Sequence, residues 1–177
     1  MRCVSTILVV LAAAGAHAET APYAGLDARD VATMPPERIA GLREGAGLGY
    51  ALAAELNGLP GPLHVLELGD DLALTDTQRA EIEAIRAAML ARAIPLGEDL
   101  IAAEAALDAA FEAGGMTPGA LAALTAAAGA VEADLRAAHM AAHLETAPLL
   151  TPHQRRLHAR LRGYETGGTG GGGHGGH

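Results

Sequence analysis

The chain has 177 residues, a formal net charge of −9 and four aromatic side chains, three Tyr and one Phe. An acidic chain without a basic run is a poor ligand for nucleic acid, because neutralising phosphates requires clustered Lys or Arg. The one cysteine and the one serine precede residue 6 and there is no lysine, so Ser or Cys nucleophiles, Schiff-base chemistry and a phosphate-loop lysine are excluded beyond that point. We therefore predict that the protein is not an enzyme.

The first eighteen residues have the features of a secretory signal peptide. Arg2 precedes an apolar run over residues 4–14, and Ala16-His17-Ala18 supplies a small-residue cleavage site. We predict cleavage after Ala18 and export to the periplasm. No later stretch approaches the roughly 20 apolar residues that span a bilayer, so no membrane span is expected after cleavage. Residues 19–35 have no hydrophobic period, which predicts an extended or loosely held N-terminal arm.

The next part of the chain is predicted to be helical, because alanine dominates while Val and Ile are sparse. Short helices are expected over residues 36–44, 48–56 and 63–72, separated by Gly and Pro clusters. A long helix over residues 76–113 follows, with apolar positions three or four apart, and it would extend about 57 Å at 1.5 Å per residue. Pro95 is expected to bend this helix without ending it, since the apolar stripe resumes in phase.

A second long helix is predicted after Gly114-Gly115, with Thr117 as its cap and Pro118 in its first turn. So short a connection folds the two long helices into an antiparallel hairpin. A last helix is expected over residues 152–162, and the Gly/His-rich residues 164–177 predict a disordered tail. The fold class is all-α, with one helical domain over residues 36–163.

A Leu-Thr-x-x-Gln sequence occurs twice, at the starts of the first long helix and of the last helix. Thr followed three residues later by Gln is a capping box, worth about 1 kcal/mol to a helix, and two well-started helices are its plainest interpretation. The motif residues are Leu74, Thr75, Gln78, Leu150, Thr151 and Gln154.

With both copies bracketing a helical hairpin in an exported chain, the sequence resembles the LTxxQ-motif periplasmic family. This family comprises Spy/CpxP-like protein refolding chaperones and is related to ZraP/CnrX-type periplasmic heavy-metal sensors. The resemblance implies a cradle-shaped homodimer that needs no ATP and no cofactor, and that binds partly unfolded clients or an envelope sensor protein. The chaperone members tend to be basic, so in this acidic chain an apolar concave face is expected to contribute more of the client binding.

Histidines offer a candidate site for Zn, Ni, Co or Cu. His139 and His143 lie four apart on a predicted helix, which places both imidazoles on one face, and His64 with Glu67 could supply further ligands. The CnrX-like relatives are similar in outline, with His and Glu from an early helix and a His from a later one. A solvated helix face is the alternative interpretation of the pair. Weaker capture is expected at His153, His158, His174 and His177, because ordering a Gly-rich chain costs entropy.

Three functions remain open on these observations. The leading hypothesis is an ATP-independent chaperone or envelope-stress protein of the Spy/CpxP type. The second is a periplasmic heavy-metal sensor or metal-buffering protein of the CnrX/ZraP type. The third is a structural interaction module with neither activity.

Overall fold

The computed structural model describes residues 21–164, and every regular element in this range is helical. The predicted all-α fold is therefore confirmed. The predicted signal peptide and the tail beyond residue 164, including His174 and His177, lie outside the described residues. The helices are α1 (Pro36–Arg43), α2 (Leu52–Glu55), α3 (Pro62–Glu67), α4 (Asp76–Glu112), α5 (Pro118–Thr146) and α6 (Pro152–Leu161), with 3-10 turns at Leu26–Ala28 and Ala147–Leu149.

The two long helices form the predicted antiparallel hairpin. Ile85 and Met89, early in α4, line one crevice with Ala138 and Ala142, late in α5. Helix α4 runs through Pro95 without a stop, because one missing N–H is tolerated where the packed face continues on both sides. None of the helices within residues 21–164 has the length and apolar composition that crossing a bilayer requires.

Helix α1 lies across the middle of α4 at a close backbone approach. A Cβ at Gly97 would lie 2.5 Å from the carbonyl oxygen of Leu42, so a side chain is excluded there. Beside this contact, Leu42, Leu100 and Leu135 are each 1% exposed and join α1, α4 and α5 in one apolar core. The absence of a side chain in α4 thus sets how closely α1 packs.

The N-terminal arm is anchored rather than loosely held. Val31 and Met34 are each 3% exposed and belong to the main core. The backbone N–H of Ala32 donates to the Asp108 carboxylate at 2.6 Å, and the Thr33 hydroxyl donates to Glu104 at 2.9 Å. Two apolar side chains suffice to fix the arm because burying each is worth about 1.5–3 kcal/mol.

The short helices are shorter than predicted. Leu48 has a φ of 43°, a left-handed conformation that a helix cannot contain, so the predicted range 48–56 is wrong at its start. The predicted range 63–72 is wrong at its end, because α3 stops at Glu67 and turns occupy residues 68–73. Turns replace the missing helix on both sides. They carry α2 and α3 over the end of α5, where these elements pack against it.

Candidate functional site

The centre of the candidate site is Glu55, a carboxylate at the end of α2 that is only 6% exposed. Its Oε2 accepts the backbone N–H of Gly61 at 3.2 Å, and its Oε1 lies 3.1 Å from Nδ1 of His64 on α3. Nδ1 of His143 on α5 lies 3.5 Å from Oε2, and Nε2 of His158 on α6 lies 3.8 Å from Oε1. Three imidazoles from three helices therefore surround one buried carboxylate.

The partners of two imidazoles define their tautomers. Nη2 of Arg162 lies 3.2 Å from Nε2 of His64, and because a guanidinium only donates, this Nε2 accepts. The proton of His64 is therefore on Nδ1, which donates to Glu55. Nδ1 of His143 lies 2.7 Å from the carbonyl oxygen of Leu59, which only accepts, so that nitrogen also carries a proton.

The third imidazole, that of His158, is short of a partner. The residue is 3% exposed, and its Nε2 is buried without a hydrogen bond. Burial lowers the pKa of His158, against an opposing effect of the Glu55 carboxylate, so the ring is neutral at pH 7. An unsatisfied buried polar atom costs about 1–3 kcal/mol. The site therefore contains a nitrogen that a ligand can satisfy.

The donor atoms are spaced as a metal centre requires. Among residues 21–164, one group of three or more His, Cys, Asp or Glu side chains has ligand atoms all within 4.8 Å of one another, namely Glu55, His64 and His158. The edge of a tetrahedral site with bonds of about 2.0–2.1 Å is roughly 3.3 Å. One carboxylate and two imidazoles are ligands suited to Zn, and imidazole also suits Ni and Cu.

The structure separates the residues that the sequence proposed as ligands. His64 and His143 both face Glu55, whereas Glu67 is exposed on α3 and does not join the three-residue group. His139 is buried and its ring stacks on that of Tyr50, with centroids 5.8 Å apart. His139 and His143 do share one side of α5, where both line a cavity of about 300 Å³ together with His64.

The two Leu-Thr-x-x-Gln motifs form complete capping boxes at the starts of α4 and α6. Thr75 Oγ1 accepts the N–H of Gln78 at 3.1 Å, and the N–H of Thr75 donates to Gln78 Oε1 at 3.1 Å. Thr151 and Gln154 form the same pair at 3.2 and 2.8 Å. Each motif thus satisfies first-turn donors of its own helix.

The motifs also bond to each other through their glutamines. Nε2 of Gln78 donates to Oε1 of Gln154 at 3.0 Å, and Nε2 of Gln154 donates to Oε1 of Gln78 at 3.1 Å. The second N–H of each amide donates to a backbone carbonyl, that of Leu149 at 2.7 Å and that of Leu72 at 3.2 Å. Both amides therefore use all their donors and acceptors.

An apolar cluster lies beneath this glutamine pair. Its buried members are Val65, Leu72, Ile82 and Leu150, and Leu74 packs against them. The leucine of each motif therefore enters the same cluster, so that leucines, caps and glutamines of both copies form one paired unit.

Residues 64–161, more than half of the chain, match the family model described as LTXXQ motif family protein. The chain belongs to the LTXXQ motif family. The match begins at His64, ends at the last residue of α6 and contains both motifs. No curated protein sequence and no solved structure matches the chain.

In this LTXXQ protein, helix α6 joins the motif unit to the metal-type cluster. Gln154 and His158 are one turn apart, so both project from the buried face of α6, the first to Gln78 and the second to Glu55. Sequence reasoning missed Glu55 and gave His158 only a weak role. The signal in the sequence that could have found His158 is its position four residues after Gln154, which places both side chains on the same face of the helix.

Proposed function

We propose that the protein is a periplasmic chaperone or envelope-stress protein of the Spy/CpxP type, which binds partly unfolded clients without ATP and works as a homodimer. The observation that carries the proposal is membership of the LTXXQ family, whose members are typically periplasmic, with both motifs inside the matched range. The predicted signal peptide over residues 1–18 agrees with a periplasmic location. With no Ser, Cys or Lys after residue 5, we propose no catalytic role.

Exposed leucines support binding through apolar contacts. Leu48, Leu52 and Leu56 recur every fourth residue around α2 and are 45%, 54% and 58% exposed. Leu63, which follows on α3, is 44% exposed. Large exposed apolar side chains in a series are typical of surfaces that bind protein. In an acidic chain without lysine, this surface is the one best suited to an unfolded client.

Aggregation of a reduced model client tests the proposal. Light scattering of reduced insulin is followed with and without the mature chain, residues 19–177, at up to a several-fold molar excess. Suppression is expected, with weaker suppression by the double variant Leu52→Asn/Leu56→Asn. Leu161→Asn on α6 is the matched control, because Leu161 is also exposed, at 46%, but lies outside the leucine series. No suppression by the unmodified chain would sink the chaperone proposal.

The second candidate is a periplasmic heavy-metal sensor or metal-buffering protein. The specific observation in its favour is the convergence of Glu55, His64 and His158 within 4.8 Å. Equilibrium dialysis of the mature chain against Zn²⁺, Ni²⁺, Co²⁺ and Cu²⁺ is its test. Binding of none of these ions would remove this function and leave the chaperone proposal untouched.

A further inference from the structure

We propose that Glu55, His64 and His158 bind one divalent transition-metal ion of the Zn²⁺ class, and that Arg162 covers this site in the metal-free chain and is displaced on loading. The proposal deepens the metal-binding candidate function and does not depend on chaperone activity. It shares His64 with the sequence hypothesis. Glu55 and His158 are new ligands, while Glu67, His139 and His143 are no longer ligands.

The first argument is the distance between donor atoms. Oε1 of Glu55 lies 3.1 Å from Nδ1 of His64 and 3.8 Å from Nε2 of His158, on either side of the roughly 3.3 Å edge of a tetrahedral site. The two imidazole nitrogens lie within 4.8 Å of each other, so side-chain rotations that bring them closer would place three donors at bonding distance of one ion. Three protein ligands leave a fourth position open to water or to another donor.

The second argument is independent of the first and concerns Nε2 of His158. This nitrogen is buried, has no hydrogen-bond partner and is directed at the cluster. Buried polar atoms are normally paired, so an orphan at the edge of a three-donor group indicates a missing ligand. Helix α6 holds the ring in place, because Gln154, one turn earlier, donates hydrogen bonds to Gln78 and to the carbonyl of Leu72.

The third argument assigns Arg162 its role. In the metal-free chain, Nε2 of His64 accepts from Arg162 while Nδ1 carries the proton. Loading requires the lone pair of Nδ1, so the ring shifts to the tautomer with its proton on Nε2, without net loss of a proton. That Nε2–H can no longer accept from a guanidinium, and the positive charge of Arg162 also repels the ion. Arg162 is exposed and free to swing into solvent.

His143 is a positioning residue in this arrangement. Its Nδ1–H is directed at the carbonyl oxygen of Leu59 and lies 3.5 Å from Oε2 of Glu55. It therefore packs beside Oε2, the carboxylate oxygen that is not assigned to the ion, and limits rotation of the carboxylate, as outer groups do around protein metal sites. His143→Ala should lower the affinity for the ion by about 10-fold or more and leave the tetrahedral geometry of the bound ion intact.

Competitive titration of Zn²⁺ against a fluorescent chelator tests the proposal. The mature chain carries His174→Ala and His177→Ala, so that the tail histidines do not contribute. One ion per chain is expected. Affinity should fall more than about 10-fold in Glu55→Gln, His64→Ala and His158→Ala, and rise several-fold in Arg162→Gln. His153→Ala is the matched control, an exposed histidine on the same helix whose loss should change nothing.

Two further measurements separate the outcomes. Circular dichroism establishes that each variant is folded, and His64, at 32% side-chain exposure, is the ligand whose removal disturbs the core least. Absorption of the Co²⁺-loaded chain should show the intense visible bands of a tetrahedral site, and these should disappear in His64→Ala. If Glu55→Gln, His64→Ala and His158→Ala all bind Zn²⁺ as tightly as the chain that keeps these residues, the ion binds elsewhere. That result would overturn this site but leave metal binding as a function. Weaker binding by Arg162→Gln would overturn the role of Arg162.

Discussion

The side-chain amides of Gln78 and Gln154 donate to each other in both directions, at 3.0 and 3.1 Å, although the two residues are 76 positions apart. Each Oε1 also accepts the backbone N–H of the threonine in its own motif. Capping alone involves only the helix that each motif begins, and it does not require the two motifs to contact each other. The pairing explains why the motif occurs twice, because each glutamine supplies a donor and an acceptor for the side-chain amide of the other.

Removing one glutamine should therefore cost more than a lost cap. Gln154→Ala removes one donor and one acceptor partner of Gln78 and leaves the carbonyl of Leu72 and the N–H of Thr151 without these side-chain partners, so we expect a loss of about 2–4 kcal/mol in the free energy of unfolding. Urea denaturation followed by circular dichroism measures it. Thr117→Ala, which removes the isolated cap of α5, is the control and should cost about 1 kcal/mol.

The pairing also predicts that the two glutamines are energetically coupled. In a double-mutant cycle, Gln78→Ala and Gln154→Ala together should cost at least about 0.5 kcal/mol less than the sum of the single variants. The cycle of Gln78→Ala with Thr117→Ala should be additive. Additivity within error in the first cycle would contradict the pair.

Gly97 should tolerate no side chain. Gly97→Ala directs a methyl group at the Leu42 carbonyl, a backbone atom that cannot rotate away, so a net loss of about 1–3 kcal/mol is expected. Gly129→Ala on α5 is the matched control, because a Cβ there meets nothing within 4 Å and the better helix propensity of Ala should stabilise by about 0.5–1 kcal/mol. Thermal unfolding of both variants measures the difference. Equal melting temperatures for Gly97→Ala and Gly129→Ala would refute the close approach of α1 to α4.

Stability should fall on acidification because of His139. Burial lowers the pKa of His139, and the nearby His143 lowers it further, so the unfolded chain binds a proton at a pH where the folded chain does not. The stability is present above the unfolded value of about 6.5 and is lost as the pH falls below it, by at most about 1.4 kcal/mol per pH unit. His139→Leu should reduce this slope in urea denaturation at pH 7.5 to 5 with a chelator present, and the buried His158 should account for part of what remains. An unchanged slope would show that folding does not lower the pKa of His139.

Metal loading should stabilise the fold, because the proposed ligands come from α2, α3 and α6. Free Zn²⁺ at about 100 times its dissociation constant adds about 2.7 kcal/mol when it binds only the folded state. Differential scanning fluorimetry should show a higher melting temperature that a chelator reverses. Mg²⁺, which prefers oxygen ligands, should have no effect. A Zn²⁺-induced increase of the same size in His158→Ala would argue against α6 as a ligand donor.

Local chemistry made several features predictable from the sequence. Pro36, Pro62, Pro118 and Pro152 all lie at the first position of a helix, and Thr75, Thr117 and Thr151 all cap one. These features depend on residues within one turn of each other, so the chain specifies them before it folds. The start of α2 was predicted wrongly, because the left-handed residue Leu48 has no distinctive side chain. The end of α3 was predicted too late, because the turns over residues 68–73 carry apolar residues much as a helix does.

The sequence by itself determined the helices, their caps and the hairpin, because each follows from apolar spacing, capping residues and loop length within a short stretch of chain. Only the tertiary structure brought Gln78 to Gln154, Val31 to the core, and His64 and His158 to Glu55. Those contacts join residues that are distant in the sequence and lie on different elements or on the N-terminal arm. Their register depends on close packing, as at Gly97, where the lack of a side chain lets α1 approach α4 closely.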